Sequence, residues 1–207
     1  MSYEPLDVPG AWVYTPTVWA DDRGTFQELV RDAPFTDATG AALTVAQVNC
    51  SVSHRGVLRG VHFAQTPPGQ AKYVTCVRGA VLDVIVDVRV GSPTFGRWTS
   101  VLLDDAERKA TYLAEGLGHA FLSLEDDSTV VYLCSTAYNP GVEHEVDALD
   151  PELGIEWPTT DRAGRRLEVL RSPKDMAAPS VSTAAARDLL PRFEVNRHSV
   201  VPASAAR

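Results

Sequence analysis

The stretch AVLDVIVDVRV (80–90) decides the fold class. Leu82, Val84, Val86 and Val88 fall at every second position, with Asp83, Asp87 and Arg89 between them. A period of two belongs to a β-strand, whose successive side chains point to opposite faces. One face is expected to pack, and the other to meet solvent, a partner or a cavity. Similar runs lie on both sides. They are AWVYTPTVWA (11–20), VAQVNCSV (45–52), VLRGVHF (57–63), KYVTCVRG (72–79), WTSVLL (98–103), ATYLAEG (110–116), HAFLSL (119–124) and TVVYLCSTAYN (129–139). Gly, Pro and Asp punctuate them. Many short strands at near-regular spacing define an all-β sandwich or barrel.

Helix signals are few. DAPFTDATG (32–40) reads as a short helical turn. STAAARDLLPRF (182–193) is the strongest helical stretch, with Ser182 or Thr183 as N-cap and Pro191 as its stop. The chain reads as a single domain over residues 1–195. It is β-rich to about residue 160 and then carries an irregular, partly helical extension packed on the strands. NRHSVVPASAAR (196–207) reads as a loose tail.

Bulk properties narrow the function. The net charge of −8 argues against a general nucleic-acid binder, although local cations could still hold a small anion. Cys50, Cys76 and Cys134 show no CxxC spacing, and read as reduced thiols of a cytoplasmic protein. No run approaches the ~20 apolar residues of a membrane-spanning helix. MSYEPLDVPG (1–10) has neither the basic nor the apolar region of a secretion signal.

HRGVLRGVHFAQ (54–65) sets two arginines and two histidines in an apolar strand. Charge there is costly without a partner. Strict alternation puts His62 on the face of Leu58 and Gly60, opposite Arg59. Both can reach one site only if the strand bulges or twists, which Gly60 would permit. Taken alone, Arg59 could equally pair with a surface acid, and His62 could sit satisfied in the core. Lys72 lies where a Gly/Gln-containing loop becomes a strand, a place where lysines are usually solvated. His119 follows a Gly-rich turn. Tyr132, Cys134, Thr136 and Tyr138 share one face by period two, and such tyrosines either pack in a core or line a cavity with the hydroxyl wet.

Together these motifs resemble the dTDP-4-dehydrorhamnose 3,5-epimerase family of the cupin superfamily. The matching stretches are DDRGTFQE (21–28), QVNCSVSHRGVLRGVHF (47–63), QAKYVTCVRGAVLDVIVDVRVGSPTFGRW (70–98), EGLGHAFLSL (115–124), YLCSTAYNP (132–140), EHEVDALDPELGIEWP (143–158) and SPKDMAAPS (172–180). The resemblance covers about residues 5–192. It implies a cupin-type jelly-roll β-barrel with a short helical C-terminal extension, and a homodimer that exchanges N-terminal strands. The implied substrate is a dTDP-4-keto-6-deoxyhexose.

The implied catalytic residues are His62 as base, Asp175 as its partner, Tyr132 as acid and Lys72 beside the keto oxygen. The implied substrate contacts are Arg23, Glu28, Gln47, Asn49, Arg59, Lys72, His119, Tyr138, Glu143 and Lys174, with Arg23, Arg59 and Lys174 on the diphosphate and Tyr138 against the base. No cofactor, metal, nucleic acid or membrane is called for. Metal-dependent cupins need an HxH pair, a following Glu and a further His, whereas GVHFAQTPPGQ (60–70) offers one His and no Glu. A 3-only or 5-only epimerase of an antibiotic sugar pathway, and a cupin that binds a sugar nucleotide without catalysis, are the alternatives. One departure stands out. The turn here is GLGHAF (116–121), where many members read GLAHGF, so a local backbone adjustment is expected around His119.

Overall fold

The computed structural model describes residues 1–193. The expected loose tail, residues 196–207, lies outside the described residues. The strands are β1 (Ser2–Pro5), β2 (Ala11–Thr15), β3 (Val18–Asp21), β4 (Gly24–Gln27), β5 (Gln47–Ser53), β6 (Leu58–Ala64), β7 (Lys72–Arg78), β8 (Ala80–Val86), β9 (Trp98–Asp104), β10 (Ala110–Leu113), β11 (Gly118–Ser123), β12 (Ser128–Cys134) and β13 (Glu143–Glu145). The helices are α1 (Asp32–Thr39), α2 (Pro173–Met176) and α3 (Val181–Ala186). No helix of the described residues is long and apolar enough to cross a membrane.

The strands form two large antiparallel sheets. The first has the order β1-β2-β10-β7-β12-β5 and the second β13-β6-β11-β8-β9. The hairpin β3–β4 stands apart as a two-stranded sheet, with Trp19 and Phe26 exposed on it. Neither large sheet is closed. Among the described residues, β1 and β5 end the first and β13 and β9 end the second, and no ladder joins these edges. The expected barrel is therefore corrected to two open sheets. Alternation marks inward and outward faces alike in a sandwich and a barrel, so it could not reveal whether the edges pair.

Three apolar clusters hold the layers. Val74, Cys76, Leu113 and Val130 of the first sheet meet Val81, Ile85, Leu103 and Phe121 of the second. On the far side of the second sheet, Leu58, Val84, Val86 and Leu122 pack under Leu153, Leu167, Val181, Ala184 and Leu190. Outside the first sheet, Phe35 of α1 packs against Tyr14, Tyr73 and Tyr112. β8 is thus buried on both faces. The even-numbered face packs as expected, but the polar face meets neither solvent nor a partner. Asp83 looks between the sheets, where His119 and Thr111 hold it. Beyond the strand's end, the buried Asp87 pairs with Arg89 at 2.8 Å.

α1 occupies the expected helical turn. α3 begins earlier than its sequence suggests. Ser180, not Ser182 or Thr183, is the N-cap, accepting the Thr183 N–H at 3.2 Å. A distant carboxylate decides this: Asp150 Oδ2 accepts the Val181 N–H at 2.7 Å, satisfying a second free donor of the first turn. The helix ends at Ala186, well before Pro191, and Asp188 turns the chain at φ 54°.

Candidate active site

The strand that carries Arg59 and His62 is bulged. Across β6 and β11, His62 lies opposite His119 and Arg59 opposite Phe121, so three steps on one strand match two on the other. Gly60 sits in the extra step at φ 107°, and a Cβ there would meet the His119 carbonyl oxygen. Only glycine fits such a conformation and approach. The bulge turns Arg59 and His62 into one cavity of about 380 Å³, which runs between β5, β7 and β12 of the first sheet and β6 and β13 of the second. The GLGHAF departure falls at the same crossing. Gly118 lies where a Cβ would stand 2.6 Å from Val61, and Ala120 takes the space beside Gly60.

His62 Nε2 lies 2.7 Å from Asp175 Oδ1. An ionised carboxylate there accepts the Nε2 proton and leaves Nδ1 as the basic nitrogen. Burial by itself would raise the Asp175 carboxyl. Hydrogen bonds from His62, Ser172 and the Gly60 N–H outweigh burial and hold it at about 2.

Lys72 opens β7 and is 9% exposed. Burial pushes its ammonium pKa down, while the carboxylates of Glu143 and Asp83 oppose that with negative potential. Tyr132 lies opposite Asn49 on β5. Burial raises its phenol, with Arg59 and Asn49 acting the other way, so the hydroxyl keeps its proton and can donate it. Arg59 Nε donates to Ser53 Oγ at 3.2 Å, and no carboxylate among the described residues pairs with it. The surface ion pair considered for Arg59 is absent there, and its charge faces the cavity.

Gln47, Asn49, Tyr138, Glu143 and Lys174 also line the cavity. Gln47 donates to Asn49 Oδ1 and accepts the Tyr138 N–H, both at 2.8 Å, which fixes Tyr138 at the mouth. Lys174 pairs with Glu145 at 2.8 Å, so an incoming anion must compete with that carboxylate. Three expected residues do not line this cavity. Arg23 projects on the β3–β4 hairpin, its side chain 89% exposed and paired with Asp21. Glu28 follows that hairpin, 3.7 Å from Arg31. His119 is buried between the sheets, with Nε2 2.6 Å from Asp83 Oδ1.

Gln70, His144 and Ser172 line the cavity without having been singled out. Ser172 was legible: SPKD has the S-x-x-D spacing of a helix cap. Gln70 and His144 carry no comparable signal. Among the described residues, no three His, Cys, Asp or Glu side chains group closely enough to hold a metal ion.

A family model described as dTDP-4-dehydrorhamnose 3,5-epimerase matches residues 5–183. A dTDP-4-dehydrorhamnose 3,5-epimerase of Mycobacterium tuberculosis is 57% identical over 194 residues, covering 94% of each chain. A dTDP-4-dehydro-6-deoxyglucose 3-epimerase of Streptomyces bikiniensis is 53% identical over 190 residues, covering 92% of this chain and 94% of that one. The solved structure of the Mycobacterium tuberculosis rmlC epimerase superposes with a TM-score of 0.88 at 56% identity, covering 93% of this chain and 94% of that one. Fold, site and relatives first define a class: the chain is an isomerase that epimerises carbohydrate. More particularly, it belongs to the dTDP-4-dehydrorhamnose 3,5-epimerase family, enzymes of deoxysugar biosynthesis.

Proposed function

We propose that the protein inverts C3 and C5 of dTDP-4-keto-6-deoxy-D-glucose, giving dTDP-4-keto-L-rhamnose. The observation that carries this is the convergence of the His62–Asp175 pair, Lys72 and Tyr132 on one cavity. A C4 carbonyl acidifies the C–H bonds on either side of it. His62 Nδ1 takes the proton, and Asp175 stabilises the imidazolium that forms. The electron pair moves onto the C4 oxygen, where the Lys72 ammonium stabilises the enolate. Tyr132 returns a proton from the other face of the ring. Inversion needs base and acid on opposite sides, and β6 and β12 belong to different sheets. The sugar then turns over for the second centre.

Arg59 and Lys174 hold the diphosphate, Tyr138 packs on the base, and Gln47, Asn49 and Glu143 complete the contacts. Arg23 and Glu28 reach the site of a second copy when the β3–β4 hairpin is exchanged in a homodimer. The exposed Trp19 and Phe26 of that hairpin support its burial against a partner. Three free cysteines support a cytoplasmic setting.

The relative from Streptomyces bikiniensis, named a 3-epimerase at 53% identity, favours a second reading in which only C3 is inverted. NMR of the reaction in D2O decides between them. Deuterium at both C3 and C5 with the L-lyxo product supports the double inversion. Inversion confined to C3, even with a trapping 4-keto reductase present, overturns it.

A further inference from the structure

The Asp175 carboxylate is fixed from two directions. Oδ1 faces His62 Nε2 at 2.7 Å. Oδ2 accepts the Ser172 hydroxyl at 2.7 Å. Ser172 does two things at once. As N-cap of α2 its Oγ accepts the Asp175 N–H at 3.1 Å, while its own proton goes to Oδ2. In the usual capping box the acidic third residue reaches back to the cap's backbone N–H. Here the carboxylate is turned away from that role and presented to the imidazole. With Oδ2 occupied by a donor, Oδ1 is the oxygen left to accept the Nε2 proton, which keeps Nδ1 free.

We infer that Ser172 is a positioning residue for proton transfer, acting on His62 through Asp175. This rests on the proposed epimerase chemistry. The role requires a side chain that donates and accepts together. Alanine does neither. Aspartate can cap a helix but has no proton to give a neighbouring carboxylate at neutral pH. Threonine can do both.

The test compares Ser172→Ala, Ser172→Asp and Ser172→Thr, with two readouts. The first is steady-state kinetics together with deuterium entry into the sugar in D2O. The second is the ¹⁵N spectrum of the His62 ring without substrate. The alanine and aspartate variants are expected to lose about tenfold or more in kcat with KM nearly unchanged, the scale for losing a hydrogen bond to a charged group. Threonine is expected to restore turnover. The parent ring is expected as the Nε2-protonated tautomer, and the alanine variant as a tautomer mixture. A helix cap alone would make aspartate and threonine equivalent. That result, or parental kcat in the alanine variant, or an unchanged His62 spectrum, overturns the inference. The aspartate variant keeps a cap if alanine fails to fold. The ring spectrum needs no turnover, so absence of epimerisation in the parent would count against the proposed activity and leave Ser172 to be judged on the tautomer.

Discussion

Gly60 and Ala120 oppose one another at the bulge between β6 and β11: a Cβ on Gly60 would stand 2.7 Å from that of Ala120. This contact ties a backbone conformation to the chemistry. Without the extra residue at the bulge, strict alternation would send Arg59 and His62 to opposite faces. Gly60→Ala adds a methyl at φ 107° against the backbone of β11. A loss of about 2–4 kcal/mol is expected by urea denaturation. Nucleotide binding should weaken along with turnover, because Arg59 moves with His62. A variant as stable and active as the parent would remove the bulge from the mechanism.

His62→Ala separates binding from chemistry. Turnover should fall by ~10²-fold or more, the scale for general-base catalysis. Calorimetric affinity for the nucleotide sugar should stay close to the parent's, since Arg59 and Tyr138 are untouched. Parental rates of C3 and C5 proton exchange in this variant would assign the base elsewhere.

How much of this could be read from residues alone differs by level. All nine expected strand runs hold strands, although β5 alternates cleanly in burial while β8, β10 and β11 are buried on both faces. The strands β1 and β13 escaped notice, whereas β4 lies in DDRGTFQE, which the family resemblance reads as an early strand. SYEP and EHE are short, and their places are set by register with β2 and β6 rather than by a pattern of their own. The bulge at Gly60 was legible from a geometric conflict: two functional side chains one strand apart in parity, with a glycine between them. Sheet closure was not legible, since it depends on edge pairing. Nor was the burial of Asp83, whose partners Thr111 and His119 come from β10 and β11. The His62–Asp175 pair spans 113 positions and was supplied by family resemblance, whereas Ser172 could have been found from the capping spacing of SPKD.

Asp175 should also contribute to stability. Its folded pKa of about 2 lies below the ordinary 3.8, so the carboxylate stabilises the fold when ionised. The full effect, on the order of 2 kcal/mol, is present above about pH 5 and is lost as pH falls toward 2. Asp175→Asn is therefore expected to be less stable than the parent at pH 7, with the gap narrowing at pH 3. Denaturant titrations at the two pH values measure it. A gap that is constant with pH would mean that the carboxylate's charge contributes nothing.

Arg23 and Glu28 do not line the cavity of their own chain, and β1 and β2 pair within their own sheet. Exchange is therefore expected to involve the β3–β4 hairpin alone. Arg23→Ala and His62→Ala proteins should each be impaired. Subunits unfolded and refolded together should regain activity, because a mixed dimer contains one site with both residues intact. Light scattering should report a dimer at assay concentration. An active monomer, or no recovery on mixing, would confine the site to one chain.

Tyr132 carries the stereochemical prediction. It sits on β12 in the first sheet, while His62 sits on β6 in the second, so the two reach the sugar from different walls of the cavity. Burial keeps its phenol protonated, the state an acid needs. If His62 removes the proton and Tyr132 returns one to the opposite face, losing the hydroxyl should block inversion more than exchange. Tyr132→Phe keeps the ring and its packing. In D2O this variant should still wash deuterium into the sugar, because His62 can return a solvent-derived deuteron to the face it took a proton from. Inverted product should fall well below the parent's yield per exchange event. NMR that follows deuterium content and configuration in one sample gives that ratio directly. Equal loss of exchange and inversion would place Tyr132 in enolate stabilisation beside Lys72, and a parental ratio would require another acid on the Tyr132 wall.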